Sequence, residues 1–148
     1  MYKYGMTLLL LLFAYGAGAQ VFTDPAAAFA MASQHQKPVL LVFQGSDWCI
    51  PCIRLEQQVL SAPRFTDFAR DRFFILKADF PQKKKIPPAL QQQYDSLAEA
   101  FNAEGRFPKI LLLGKDRQLL HAFQQDYPTP AILIAEIEKA LKEIDAAM

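Results

Sequence analysis

Cys49 and Cys52 are the only two cysteines of this 148-residue chain, and they stand three positions apart in the segment "WCIPC". Cysteine pairs at this spacing bind zinc, attach haem, form a structural disulfide or exchange electrons with other disulfides. The choice among these four chemistries depends on which other residues accompany the pair and on which secondary structure carries it.

Zinc and haem both require residues that this pair lacks. A structural zinc ion needs four ligands, whereas the chain has no second cysteine pair, and His35 and His121 are far away and not at ligand spacing. Covalent haem attachment requires a histidine directly after the second cysteine, and this position is Ile53. We therefore predict no metal site and no bound cofactor.

A structural disulfide and a redox-active pair remain as alternatives. The entropic stabilisation from a cross-link grows with the length of the loop that it closes, and this loop contains only the two residues of "IP". A bridge this local would stabilise the fold little. Reversible thiol–disulfide exchange is therefore the favoured interpretation, and a fixed structural bridge is the alternative.

The residues around the pair favour exchange. Pro51 is typical of a first helical turn, which places Cys49 at a helix N-terminus and Cys52 one turn inside the helix. The unpaired N–H groups and the dipole of that helix lower the pKa of Cys49 by stabilising its thiolate. We predict Cys49 as the exposed nucleophile and Cys52 as the partly buried resolving thiol. Trp48 is expected to be an apolar wall beside the sulfur or, alternatively, an ordinary partly buried aromatic.

The elements that must position the pair follow from the pattern of apolar residues. The wholly apolar run "VLLVF" at residues 39–43 predicts a central strand covered on both faces. Further strands are predicted at residues 73–80, 109–113 and 118–123, and the last two are close enough to form an antiparallel hairpin. Helices are predicted at residues 24–36, 52–60, 63–71, 90–103 and 129–148. This order predicts an α/β fold with a mixed central β-sheet and helices on both faces.

The N-terminal segment predicts export. Residues 1–19 contain one charge, Lys3, then an uncharged apolar stretch and the small residues "AGA", which is the layout of a secretory signal peptide. The apolar stretch is shorter than the roughly 20 residues of a spanning helix, so an uncleaved anchor is the less favoured alternative. We expect cleavage after Ala19, a single domain over residues 20–148, and a periplasmic or secreted protein.

Composition and charge limit the partners. The chain carries a net charge of +1, and removing the predicted signal peptide takes away only one lysine. No basic face for nucleic acid is therefore indicated. With 52% hydrophobic residues the chain can build one packed core, and we expect a monomer.

The order of these motifs resembles the thioredoxin superfamily over nearly all of residues 22–146. The resemblance rests on "WCIPC" between an apolar strand and a helix, and on "FP" before a hairpin and a closing helix; the string "KPVLLVFQGSDWCIPCIRLEQQVL" is similar to exported thioredoxin-like proteins of bacteria. It implies a thioredoxin-like fold and protein-disulfide oxidoreductase activity. It also implies that Pro108 is the cis-proline beside the disulfide, and that the backbone of Phe107 pairs with a substrate chain. Without the resemblance, Pro108 would be read as an ordinary proline at the start of a strand.

One departure from the family concerns proton transfer. Thioredoxin has a buried aspartate on the strand before the active site, whereas the matching positions here, Val42 and Phe43, are apolar. Glu56, one helical turn after Cys52, is a candidate replacement as proton acceptor. The alternative is a solvated glutamate on the outer face of the helix, because most charged residues on helices are exposed. The lysines of "PQKKKIPP" are likewise expected in a solvated loop, and docking of an acidic partner is the less favoured alternative.

The sequence thus predicts an exported thiol:disulfide oxidoreductase that reduces or exchanges disulfides in other exported proteins and is itself reduced by a membrane electron donor. No charge lies between the cysteines to stabilise a thiolate strongly, and Asp47 would oppose it by repulsion, which favours a reductase over a strong oxidase. The alternative is a non-catalytic thioredoxin-fold module that binds partner chains and keeps its disulfide fixed.

Overall fold

The computed structural model describes residues 18–124 and 126–148. All but the last two positions of the predicted signal peptide lie outside these residues. The helices found are α1 (Pro25–His35), α2 (Ile50–Leu55), α3 (Pro63–Ala69), α4 (Pro88–Phe101) and α5 (Pro130–Ala147). The strands are β1 (Val21–Phe22), β2 (Val39–Gln44), β3 (Phe74–Asp79), β4 (Lys109–Leu113) and β5 (Leu119–Phe123).

The strands form one mixed sheet in the order β1-β3-β2-β4-β5. Strands β1 and β2 both run parallel to β3, whereas β4 is antiparallel to β2 and β5 is antiparallel to β4. Residues 39–43 of β2 are completely buried, as predicted for a central apolar strand covered on both faces. The predicted hairpin is confirmed as β4 and β5, and the predicted α/β architecture is confirmed with it.

Helices cover both faces of the sheet. Successive residues of a strand point to opposite faces of the sheet. On one face, Leu41 of β2 packs with Phe29 of α1 and Tyr94 of α4. On the other face, Val42 packs with Leu55 of α2 and with apolar residues of α3 and α5. Each such side chain contributes about 1.5–3 kcal/mol on burial. Two packed layers therefore hold β2 and α2 in place, and the cysteine pair lies where the chain passes from β2 into α2.

The helix ends follow local chemistry. Helix α1 begins after Asp24, whose carboxylate accepts a hydrogen bond from the N–H of Ala26 at 3.0 Å. It ends at His35, and the next residue, Gln36, has a φ of 54° in the left-handed region typical of helix C-termini. Helices α3 and α4 each end two residues earlier than predicted, at Ala69 and Phe101. Among the helices in the described ranges, none combines the length and the apolar character needed to cross a membrane.

Two features were not predicted. Strand β1 has only two residues, too few to give an alternating pattern. Helix α2 continues as a π-helical turn, Glu56–Leu60, in which the N–H of Ser61 bonds to the carbonyl oxygen of Glu56 at 2.9 Å. Such turns insert one residue into a helix and are frequent at functional sites. This one begins at the candidate proton acceptor.

Candidate active site

Cys49 and Cys52 lie at the start of α2 and form a disulfide. Cys49 is the N-cap residue of this helix, and its Sγ accepts a hydrogen bond from the backbone N–H of Cys52 at 3.3 Å. Pro51 occupies the first turn, as predicted. The helix thus directs an N–H group at the sulfur of Cys49, which stabilises a thiolate there once the disulfide is reduced.

The predicted exposure of Cys49 is wrong for the oxidised protein. Cys49 is 4% exposed and Cys52 is 3% exposed, because the disulfide turns the Cys49 side chain in toward the first turn of α2. Ile50, between them in sequence, is 57% exposed. A partner chain that approaches the disulfide therefore meets the apolar side chain of Ile50 beside it.

Trp48 and Phe107 form one wall of the site. Their ring centroids are 5.4 Å apart in an edge-on arrangement. The Nε1–H of Trp48 donates a hydrogen bond to the carbonyl oxygen of Phe80 at 2.7 Å, and the Phe80 ring also contacts that of Phe107 at 5.6 Å. Trp48 is thus fixed by its polar edge and packed by its ring. The structure therefore brings Trp48 together with Phe107, the residue before Pro108.

Gly45 is required by the position of Trp48. A Cβ atom added at Gly45 would lie 2.3 Å from Cε2 of the indole, closer than any real contact of this kind. The indole therefore lies directly on the backbone of Gly45, and any larger residue would displace it.

The peptide bond between Phe107 and Pro108 is cis, as the resemblance implied. The chain before it is held by Asn102, a buried residue that is 3% exposed. The amide of Asn102 donates to the carbonyl oxygen of Arg106 and accepts from its N–H, both at 2.9 Å. Within the described residues, the backbone N–H and C=O of Phe107 have no hydrogen-bond partner. These two groups are left available to an incoming chain.

The loop before the cysteines is tied to the loop after β3. Ser46 donates from its N–H (2.8 Å) and its hydroxyl (2.6 Å) to the carboxylate of Asp79. The carboxylate of Asp47 accepts the N–H groups of Gln82 and Lys83, each at 2.8 Å, and the first of these bonds is the main cause of its lowered pKa. The predicted repulsion between Asp47 and the thiolate is therefore weakened, because this charge is already bound by two amides. The three lysines of the loop are exposed, as predicted.

Glu56 does not extend into solvent as a free charge. Its Oε1 accepts hydrogen bonds from Nζ of Lys77 at 2.6 Å and from the hydroxyl of Ser61 at 2.8 Å. Its Oε2 is buried and has no hydrogen-bond partner within the described residues. Lys77 lies on β3 opposite Val42, one of the two apolar positions that match the aspartate of thioredoxin. The carboxylate of Glu56 thus reaches the face of the sheet that Val42 shares with α2.

A groove of about 440 Å³ lies beside the start of α2 and is lined by Pro51, between the two cysteines in sequence, and by the cis-proline Pro108. Pro51 and Pro108 stand at its active-site end, and its floor contains buried Leu55, Ile110 and Phe123. Ligand sites commonly have volumes of about 300–1,000 Å³. The groove is large enough for side chains of a bound polypeptide.

Three positioning residues escaped sequence analysis: Lys77, Asp79 and Asn102. Lys77 had a usable signal, since it is a lone cation inside the apolar strand "FFILKADF". Nothing in the sequence marked Asn102, because its two hydrogen bonds form only when the chain turns so that the backbone of Arg106 lies beside it. In the described ranges, no three His, Cys, Asp or Glu side chains group closely enough to hold a metal ion.

Comparison with known proteins places this geometry in a family. The model of the thioredoxin-like family matches residues 21–134. The chain is 30% identical over 117 residues to the protein named disulfide bond reductase DsbH of Chlamydia pneumoniae, covering 79% of this chain and 70% of that one.

Solved structures agree in fold. A DsbH oxidoreductase superposes with a TM-score of 0.76 and 26% identity, covering 95% of each chain. The C-terminal domain of DsbD from Neisseria meningitidis in its reduced form gives a TM-score of 0.56 at 20% identity, covering 78% of this chain and 91% of that one. The chain therefore belongs to the thioredoxin-like family, and it is a protein thiol:disulfide oxidoreductase of the thioredoxin superfamily.

Proposed function

We propose that this chain is an exported oxidoreductase, periplasmic or secreted, that reduces or exchanges disulfides in other exported proteins. The observation that carries the proposal is the position of Cys49 at the N-cap of α2, with the N–H of Cys52 bonded to its sulfur. The signal-peptide pattern of residues 1–19 supports export. The similarity to a protein named disulfide bond reductase supports the direction of the reaction.

The reaction takes place in two exchanges. The thiolate of Cys49 attacks one sulfur of a substrate disulfide, forms a mixed disulfide and releases the other substrate sulfur as a thiolate, which takes up a proton. The thiolate of Cys52 then attacks the sulfur of Cys49, closes the Cys49–Cys52 disulfide and releases the second substrate thiol. Two electrons pass from the dithiol to the substrate. A dithiol donor, in the cell a membrane electron donor, restores the reduced pair, and no bound cofactor takes part.

The second exchange needs a base, because Cys52 lies inside the helix. Glu56 is four residues further along and its N–H bonds to the carbonyl oxygen of Cys52, so both side chains lie on one helix face. Its buried Oε2 has no other partner among the described residues. We assign to Glu56 the acceptance of the Cys52 proton, with Lys77 fixing the position of the carboxylate through its bond to Oε1.

The substrate chain lies across Trp48, Phe107 and Pro108. The unpaired N–H and C=O of Phe107 are placed to bond to an extended backbone, in the manner of an added strand. The ring of Trp48 provides an apolar surface next to the attacking sulfur. This arrangement binds any extended segment through its backbone, which suits an enzyme that acts on several protein disulfides.

Insulin reduction in the presence of dithiothreitol tests the proposal. The mature chain, residues 20–148, should accelerate precipitation of the insulin B chain, and Cys49→Ser should abolish the acceleration. Cys52→Ser is the matched variant: it keeps the nucleophile and, when reduced, freed of dithiothreitol and mixed with insulin, should accumulate the mixed disulfide with substrate. Turnover by Cys49→Ser at the rate of the unchanged protein would sink the proposal.

A further inference from the structure

The groove beside the disulfide has a charged rim in addition to its apolar floor. Arg54 of α2 and Arg106, next to Phe107, both line it and are both exposed. The only carboxylate lining the described part of the groove is that of Asp126. The rim therefore has an excess of positive charge, although the chain as a whole is close to neutral.

Neither of these two guanidinium groups forms an ion pair with a carboxylate of the described residues, although Arg106 lies close enough to Glu104 to help lower the pKa of that carboxyl. Arg54 makes no ion pair within the described residues, and Arg106 donates only to the amide oxygen of Gln124, at 3.2 Å. The nearby Glu104 is already paired with Lys109. Both arginines are therefore free to bind an anionic group.

The floor complements this rim. Leu55, Ile110 and Phe123 present apolar surface, and Pro51 and Pro108 connect the groove to the cysteine pair. A glutamate side chain combines a short apolar stem with a terminal carboxylate. Its methylenes suit the floor and its carboxylate suits arginine, which binds carboxylates through paired N–H donors.

From this geometry we infer that the groove is a subsite for an acidic side chain, located next to the target cysteine in an extended segment of the substrate protein. The inference rests on the proposed function, since it specifies the substrate of the same disulfide exchange. Each exposed arginine–carboxylate pair favours the acidic substrate by roughly 1.4- to 5-fold. The two arginines together therefore predict about a tenfold preference for glutamate over lysine at this position.

Three disulfide-linked fluorogenic peptides, identical except for Glu, Gln or Lys next to the cysteine, test the inference in single-turnover reduction by the mature protein. The rate constant should be about tenfold larger for the Glu peptide than for the Lys peptide, and the ratio should decrease as salt is added. In the double variant Arg54→Gln, Arg106→Gln the ratio should fall to within twofold of one. Arg64→Gln, which removes an exposed arginine outside the groove, should keep the original ratio.

Two results would overturn the inference alone: equal reduction of all three peptides by the unchanged protein, or a preference for Glu that persists in the double variant. Failure to reduce any of the peptides would instead contradict the proposed function, and the subsite with it. Far-UV circular dichroism and thermal melting of each variant identify a loss of folding separately.

Discussion

Replacing Glu56 by glutamine removes the carboxylate that we assign as proton acceptor while keeping the size of the side chain. The amide can still accept the hydrogen bond from Ser61, but Lys77, whose side chain is only 18% exposed, loses its counter-ion. An exposed ion pair contributes at most about 1 kcal/mol, and breaking a buried pair costs about 3–5 kcal/mol. For this half-buried pair we expect the free energy of unfolding to fall by about 1–2 kcal/mol, so that the variant remains folded.

The larger effect should be on the second exchange. A positioned general base contributes about 10²- to 10⁴-fold to a proton transfer, and Glu56, with a side chain that is 32% exposed, belongs at the lower end of this range. We therefore expect the attack of Cys52 on the mixed disulfide to slow by about 10²-fold in Glu56→Gln. The attack of Cys49 on a substrate precedes this step and should change little.

Stopped-flow reaction of the reduced protein with Ellman's reagent separates the two exchanges. The first thionitrobenzoate is released when Cys49 attacks, and the second when Cys52 resolves the mixed disulfide. Only the second phase should slow in Glu56→Gln, whereas Glu99→Gln, which removes an exposed carboxylate of α4, should leave both phases unchanged. An unchanged or faster second phase in Glu56→Gln would refute the assignment, because it would show that the carboxylate acts only as a fixed charge or not at all.

Three further predictions concern the surroundings of the site. Gly45→Ala should displace the indole of Trp48 and break its hydrogen bond, which lowers the free energy of unfolding by about 1–3 kcal/mol. The fluorescence of this single tryptophan should then shift toward that of a solvated indole. Fluorescence unchanged from that of the native protein would contradict the close contact between Gly45 and the indole. Asp47→Asn leaves one acceptor oxygen and should therefore remove hydrogen-exchange protection from one of the two backbone amides that the carboxylate binds; unchanged protection of both would show that they are held by other means. The third prediction concerns Tyr94. Its pKa is raised to about 12, mainly by burial and to a smaller extent by two nearby carboxylates, so the neutral phenol stabilises the fold. This contribution is present below about pH 10 and is lost as pH rises toward 12, whereas the free energy of unfolding of Tyr94→Phe should decline less over the same pH range.

The central part of the fold could be predicted because its pattern is local. Residues 39–43 are wholly apolar and end at a turn, so one strand covered on both faces was the simplest interpretation. The cysteine spacing and Pro51 likewise fixed the position of the pair at a helix N-terminus. A two-residue strand such as β1 and a π-helical turn such as Glu56–Leu60 have no comparable pattern.

The polar contacts of the site could not be predicted because they join residues far apart in the chain. Glu56 and Lys77 meet only when α2 is packed on the sheet, and the burial of one carboxylate oxygen follows from that packing. The sequence places Asp47 beside Cys49, whereas in the fold its carboxylate accepts hydrogen bonds from the backbone N–H groups of Gln82 and Lys83. The exposure predicted for Cys49 is wrong because the sequence does not show that its sulfur is buried when the disulfide is closed.

The claim that the Cys49–Cys52 pair exchanges electrons, and is not a fixed structural bridge, is tested most directly by its reduction potential. The mature protein is equilibrated in buffers of defined ratios of reduced to oxidised dithiothreitol and glutathione, and the fraction of disulfide is measured by thiol alkylation. A redox-active pair predicts a midpoint between those of thioredoxin and protein disulfide isomerase, about −270 to −180 mV. A midpoint below about −300 mV would contradict the account, because a bridge that stable would remain closed in the presence of cellular thiols.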